Sequence, residues 1–342
     1  MLQDYKINVI ERRPTVRTYN WGILGTGNIA HKFAEALLTL DNARILGVGS
    51  RSIDTASSFA KDFGIKKVYD SYHELAADPE IDIIYIATPH QLHYENMKLC
   101  IMNGKAILCE KPFAVNAKDA KEIQQLALQK NIFVMEAFKT KFLPVMKKVK
   151  ELIDNKEIGE IKMLKADFGF DGGFNENKRL LNPKLAGGSL LDVGIYPLTL
   201  ATMIFGNKPR TVHSIPHIGI TGVDEQAVII MGFEEGKLAQ LSCAVTTDIK
   251  NQAHIIGSKG FIRIPNFSAA TIAEFCVNGM PEQIIDLPHK CNGFEFEAME
   301  VMECLSEGKT HSDINPLSDT IAILEIMDRL RKEWGLKYPF EN

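Results

Sequence analysis

The chain has 342 residues, and its 39 Lys and Arg against 43 Asp and Glu leave a net charge of −4. This length exceeds what one hydrophobic core usually supports and, at about 150 residues per domain, points to two domains. The mildly acidic balance exerts no general pull on phosphate backbones, and no run approaches the roughly 18 uninterrupted apolar residues of a membrane span, so the expected partner is a small molecule, with neither nucleic acid nor membrane involved.

Residues 1–19 mix Asp4, Lys6, Glu11, Arg12 and Arg13 with isolated hydrophobes. They read as an N-terminal extension of unassigned role, unlike the basic start and apolar stretch of a secretory signal. From 20 to 140, strand-like runs at 20–24, 44–50, 82–87, 105–109 and 132–135 alternate with helical spacing at 28–39, 53–63, 91–103 and 116–129. Ile83-Ile84-Tyr85-Ile86-Ala87 is continuously apolar, as a strand buried on both faces requires. The alternation predicts an α/β Rossmann domain, a doubly wound parallel sheet. Beyond residue 160, longer strand-like segments follow at 160–170, 211–220, 224–233, 237–246 and 251–264, with turns at Glu234-Glu235-Gly236-Lys237 and Gly257-Ser258-Lys259-Gly260. With helices expected at 142–154, 189–205, 294–307 and 317–333, residues 141–342 read as an α+β domain carrying a large, mostly antiparallel open sheet. Cys100, Cys109, Cys243, Cys276, Cys291 and Cys304 form no CxxC pair and several sit in apolar runs. This favours a reducing, cytoplasmic setting.

The first strand runs into Gly25-Thr26-Gly27-Asn28-Ile29-Ala30, a GxGxxA turn that opens a helix. Gly25 permits the tight turn, Gly27 lets backbone approach a pyrophosphate, and Ala30 allows close helix packing, so Gly25, Thr26, Gly27, Asn28 and Ile29 are candidate dinucleotide contacts. At the end of the second strand an NAD site would place an acid for the ribose 2′-hydroxyl, but here Ser50-Arg51-Ser52 stands. A guanidinium forks onto a 2′-phosphate, so Ser50 and Arg51 predict NADP, with NAD as the alternative. The fourth and fifth strands end at Thr88-Pro89-His90 and Glu110-Lys111-Pro112, at the sheet edge where open α/β sheets bind ligands. An X-Pro bond can be cis, which would turn Lys111 toward the crevice. Thr88, Pro89, His90, His93, Glu110 and Lys111 are therefore expected to line it. Neither histidine has a partner at metal-ligand spacing, so no metal is expected.

These stretches, together with Gly187-Gly188-Ser189-Leu190-Leu191-Asp192-Val193-Gly194-Ile195-Tyr196-Pro197, resemble the Gfo/Idh/MocA oxidoreductases over residues 20–340. Glu110 to Pro112, Met135-Glu136-Ala137, Gly187 to Tyr196 and Thr221-Gly222-Val223-Asp224 are most similar to its dimeric dihydrodiol dehydrogenase and NADP-dependent D-xylose dehydrogenase branch. The resemblance implies catalytic roles for Lys111, Asp192 and Tyr196. A lysine ammonium favours a nearby phenolate, so the pair is expected to act as general acid and base near neutral pH. In a helix over 189–200, Asp192 and Tyr196 would share one face, with a kink at Pro197.

The expected reaction is hydride transfer between NADP and a carbon of a sugar or cyclic polyol. Alternatives are a trans-dihydrodiol or dicarbonyl reaction and a non-catalytic NADP-binding regulator. Phe138-Lys139-Thr140-Lys141-Phe142 departs from the dihydrodiol enzymes, which carry Trp-Thr-Arg-Phe here, and a lysine in place of an apolar wall counts against an aromatic diol. The polar segment Asp171, Asn175, Asn177, Lys178 and Arg179 is a candidate for meeting sugar hydroxyls. Along 226–233 both faces of the strand are largely apolar. Helices of the same chain can cover one face, and the other predicts a homodimer through the C-terminal sheet.

Overall fold

A computed structural model of the chain describes residues 17–341. The extension read over residues 1–19 therefore lies almost wholly outside the described residues. From Tyr19 the chain builds β1 (Tyr19–Leu24), α1 (Asn28–Leu37), β2 (Ala43–Gly49), α2 (Ile53–Phe63), β3 (Lys67–Tyr69), α3 (Tyr72–Ala77), β4 (Ile83–Ile86), α4 (His93–Met102), β5 (Ala106–Glu110), α5 (Ala117–Lys130) and β6 (Val134–Ala137). The six strands form one parallel sheet in the order β3-β2-β1-β4-β5-β6. Every residue of β4 and β5 is buried. Helices cover both faces of such a sheet, which is why these strands read as unbroken apolar runs. The order reverses between β1 and β4, and ligands of doubly wound sheets bind beyond the strand ends at that point.

The second half contains α6 (Pro144–Asp154), β7 (Ile161–Gly169), α7 (Ile195–Phe205), β8 (Thr211–Ile218), β9 (Asp224–Gly232), β10 (Leu238–Ala244), β11 (Gln252–Gly257), β12 (Gly260–Pro265), β13 (Ile272–Val277), β14 (Gln283–Asp286), α8 (Phe294–Ser306) and α9 (Leu317–Glu333). Its eight-stranded sheet has the order β14-β13-β12-β11-β7-β10-β9-β8, antiparallel except where β7 meets β10. The apolar run at 251–264 divides at Ser258-Lys259 into the hairpin β11–β12.

On β9 the alternation resolves cleanly. Ala227, Ile229 and Met231 are buried, whereas Val228 and Ile230 are 46% and 51% exposed. Leu241 and Cys243 of β10 lie on the buried face, which α7 covers. Ile215 on β8 pairs with Val228 and extends the exposed apolar row. The segment Pro183–Phe205 has the length and hydropathy of a membrane span, but 78% of its apolar window is buried within the protein, as befits a core helix.

The C-terminal helices do not stay on the second sheet. Phe294, Ala298, Val301 and Met302 of α8 share a core with Trp21, Ile23 and Phe33, and α9 packs along α5. Glu136 on β6 joins the halves: its carboxylate accepts from Phe113 N at 3.0 Å and Thr320 Oγ1 at 2.8 Å, while its carbonyl accepts from Asn315 Nδ2 at 2.9 Å. The last two elements are thus built into the first domain, although their sequence position groups them with the second.

Candidate active site

The carboxyl ends of β1, β2, β4 and β5 open onto a cleft of about 570 Å³. Gly25 has φ +105°, and a Cβ there would stand 2.8 Å from Ala87 O, so only glycine fits the turn. Gly27 differs: its backbone is extended (φ −77°, ψ 175°), and a Cβ there would meet nothing within 4 Å. It is the N-cap of α1 and supplies no side-chain cap, leaving the first helical N–H donors for a ligand. Open space over Gly27 beside uncapped donors fits a dinucleotide pyrophosphate. Thr26, Asn28 and Ile29 line the same wall, with Lys32 one turn further along α1. Ser50, Arg51 and Tyr72 line the β2 side, where Ser50 Oγ shares a 2.7 Å hydrogen bond with Thr55 Oγ1 and Arg51 is exposed. The carboxylates lining the cleft, Glu110 and Asp192, belong to its other end.

Thr88, Pro89 and His90 line the cleft as the sequence suggests. His90 is buried, and its Nδ1 has no hydrogen-bond partner. Burial, with Arg179 adding repulsion, holds its pKa well below 6.5, so the ring is neutral. His93 does not line the cleft. It is fully buried, with Nδ1 2.9 Å from Pro112 O and Nε2 2.8 Å from Thr88 O, and so fastens the loop after β4 to the loop after β5. Glu110 reaches the cleft floor, but its oxygens are taken by the Tyr85 hydroxyl and by Lys111 N at 3.2 Å. The Lys111–Pro112 peptide bond is cis.

Asp192 and Tyr196 come from a helix whose irregularity lies before Pro197, where the sequence predicts a kink at that proline. Ser189 Oγ and Leu190 N donate to Asp224 Oδ2 at 2.7 and 2.6 Å, anchoring its start. Leu190–Gly194 then forms a π-turn, in which Ile195 N–H bonds to Leu190 O, five residues back. The regular α-helix begins at Ile195, and the Asp192 carbonyl inside the π-turn accepts from Lys111 Nζ at 2.6 Å. π-turns of this kind are frequent at functional sites.

Three charged groups therefore meet at the inner end of the cleft. Asp192 Oδ1 accepts from Arg179 Nη1 at 2.6 Å and lies 3.7 Å from Lys111 Nζ. Burial alone would raise the Asp192 pKa, but Lys111 and Arg179 outweigh it and hold the carboxyl below its ordinary range. Burial would likewise lower the Lys111 pKa, yet Tyr196 and Asp192 raise it above 10.5. Lys111 Nζ sits 4.9 Å from the centre of the Tyr196 ring, which Phe138 and Phe168 flank with ring centroids 5.1 Å away. The expectation that Lys111 brings the phenol toward neutrality is not met. Burial, joined by Glu110 and Asp192, outweighs the lysine and raises Tyr196 above 10.0. Its hydroxyl has no hydrogen-bond partner among the described residues and stays protonated at neutral pH.

Two sequence features settle differently from their reading. Lys139 does not wall the cleft; its Nζ donates to Asn292 O at 3.2 Å and lies 4.3 Å from the Phe294 ring centre, beneath the start of α8. Of the polar segment 171–179, Arg179 alone lines the cleft. Asp171 and Asn175 instead accept from Gly173 N and Asn177 N within their own loop. Among the described residues no group of three or more His, Cys, Asp or Glu side chains could hold a metal ion.

Residues 19–138 match the model of an oxidoreductase family with an NAD-binding Rossmann fold, and residues 146–263 match the GFO/IDH/MocA C-terminal domain. A trans-1,2-dihydrobenzene-1,2-diol dehydrogenase from Xenopus tropicalis is 37% identical over 332 residues, covering 93% of this chain and 99% of that protein. The chain belongs to the GFO/IDH/MocA oxidoreductase family. The Homo sapiens enzyme of the same name is 32% identical over 329 residues, covering 93% of this chain and 98% of that one.

Solved structures share the family fold at lower identity. An aldose-aldose oxidoreductase from Caulobacter crescentus superposes with a TM-score of 0.85 at 22% identity, covering 92% of this chain and 97% of its own. A 3-ketoreductase from Actinomadura kijaniata, crystallised with NADP, gives 0.83 at 22% identity over 92% and 98%. Membership makes this chain an oxidoreductase, and relatives named as dehydrogenases leave the non-catalytic regulator without support. Lys32 and Tyr72 escape the sequence reading. Lys32 carried a signal, lying four residues after Asn28 on the same helix face, whereas Tyr72 opens a short helix that hydrophobic periodicity does not reveal.

Proposed function

We propose that the chain is an NADP(H)-dependent oxidoreductase that interconverts the alcohol and carbonyl forms of a carbon in a sugar or cyclic polyol. The meeting of Lys111 and Asp192 at one end of the dinucleotide cleft, with the Tyr196 ring centre 4.9 Å from Lys111 Nζ, carries this reading. When bound, the dinucleotide supplies or accepts the hydride. Gly27 and the N-terminus of α1 hold the pyrophosphate, and Ser50 and Arg51 hold the 2′-phosphate. The protonated Tyr196 hydroxyl gives its proton to the carbonyl oxygen in reduction, while the Lys111 ammonium stabilises negative charge growing on that oxygen and on the phenolate left behind. Asp192, kept ionised, fixes Lys111 through its carbonyl and balances its charge. Oxidation needs the phenolate first, so it is favoured by alkali.

A second reading, a trans-dihydrodiol substrate, is favoured by the names of the relatives at 37% and 32% identity. The objection drawn from Lys139 falls away, because that side chain lies under α8 rather than against the cleft.

We also propose a homodimer through the exposed face of the eight-stranded sheet. Ile215, Val228 and Ile230 form a contiguous apolar row there, and a two-fold axis pairs such a face with itself. Light scattering should give about twice the 38.2 kDa chain mass, falling to the single-chain value in Ile230→Glu. A single-chain mass for the unaltered protein removes the dimer.

NADPH should bind more tightly than NADH, and Arg51→Ala should shrink that preference by roughly tenfold to a hundredfold, the worth of one charge-assisted phosphate contact. Fluorescence titration reads both affinities, and equal affinities in the unaltered protein contradict the NADP assignment. Tyr196→Phe keeps the ring and deletes the proton, so turnover should fall by about 10² to 10⁴ with NADPH affinity retained. Because the Tyr196 pKa is raised, carbonyl reduction should hold steady through neutral pH and be lost only above 10.0, while oxidation rises over the same alkaline range. Undiminished turnover in the phenylalanine variant places the proton elsewhere.

A further inference from the structure

Moving one proton to one substrate oxygen occupies Tyr196 and Lys111; the same end of the cleft carries a second polar pair. Arg179 stands on a 3₁₀ turn, Arg179–Leu181, with its side chain 40% exposed. Its one hydrogen bond to another side chain among the described residues is to Asp192 Oδ1 at 2.6 Å. A guanidinium has five N–H donors in one plane, so most of its donors remain for a ligand. Asp192 Oδ1 lies between this guanidinium and Lys111 Nζ, which sets Arg179 beside the reacting position rather than at it. An oxygen seated there meets a donor, Arg179, and an acceptor, Asp192, which together match a hydroxyl group.

We propose that Arg179, paired with Asp192, reads a second oxygen on the carbon next to the reacting one, so that the substrates are vicinal diols and the α-hydroxycarbonyl compounds they become. This rests on the functional reading above and narrows its substrate class. In the oxidative direction one carbinol loses two bonds. Its C–H hydrogen leaves with the electron pair to NADP⁺, and its O–H proton passes to the Tyr196 phenolate. The neighbouring hydroxyl keeps its proton, donating to Asp192 and accepting from Arg179 throughout. A sugar ring and a trans-dihydrodiol both carry this arrangement, so one recognition device serves both readings. Asp171 and Asn175, spent on their own loop, take no part.

The test compares trans-cyclohexane-1,2-diol with cyclohexanol as reductants of NADP⁺, using the full chain and the variants Arg179→Met and Arg179→Lys. The diol should be preferred in kcat/KM by about a hundredfold, the discrimination of a charge-assisted contact to a hydroxyl. That ratio should fall at least roughly tenfold in Arg179→Met, mainly through the KM of the diol, with partial recovery in Arg179→Lys because an ammonium lacks the planar fork. A ratio near one in the unaltered protein, or a ratio unmoved in Arg179→Met, overturns the proposal. Should neither alcohol be oxidised, the reading of the reaction fails and binding decides the rest. Quenching of bound NADPH fluorescence by the diol alone, abolished in Arg179→Met, then supports Arg179 as the reader. Equal quenching by both alcohols overturns it.

Discussion

A carboxylate taken out of water beside two cations governs the inner end of this cleft. Asp192 is buried, and an isolated charge in that position costs several kcal/mol. Arg179 and Lys111 offset that cost, and the depressed pKa of Asp192 shows that they prevail. Its ion-pair contribution to stability is therefore present above 3.8, the ordinary value, and is lost as the pH falls below it toward the lower folded value. Each partner arrives on a different element: Lys111 follows β5, Arg179 closes a loop from the second sheet, and Asp192 rides a helix whose start is tied to Asp224 on β9. The site forms only when both halves are assembled, and the Glu136 contacts to Thr320 and Asn315 hold them so.

The π-turn has a similar logic. Proline in the first turn of an α-helix is easily tolerated because the N–H it lacks would be unsatisfied. Here a wider turn, Leu190–Gly194, precedes Pro197, and the Asp192 carbonyl inside that turn accepts from Lys111 Nζ, so a backbone irregularity carries an anchor for an ammonium group. With Nζ held there, its charge lies 4.9 Å from the centre of the Tyr196 ring.

Much of this was legible in the residues. The GxGxxA turn, continuous apolar strands and helix-spaced segments recover the parallel sheet because burial on both faces leaves a strong pattern. β3 and α3 leave almost none: Lys67, Val68 and Tyr69 are only half-buried, and three residues cannot show a period. β13 and β14 lie toward the sheet edge, where exposed Ile272 and Ile284 blur the alternation. Nearness to His90 in sequence suggests a place in the crevice for His93, yet three residues further on the chain turns it into the core. The direction of the Tyr196 shift is not legible in the residues, because the family resemblance supplies the lysine but not the burial and the buried Glu110 that oppose it. Arg179 sat among five polar residues of equal promise, and only the fold shows which one faces inward.

A site of this kind is a preorganised electrostatic device, in which charge placement rather than shape carries the chemistry. Asp192→Asn probes it most directly, since the amide keeps the size of the side chain and removes its charge, leaving Lys111 and Arg179 uncompensated. With folding verified by circular dichroism and NADPH affinity by fluorescence, steady-state carbonyl reduction should fall by roughly a hundredfold in this variant. Turnover equal to that of the unaltered protein would contradict the account, because the buried carboxylate would then be ordering the structure without setting its chemistry.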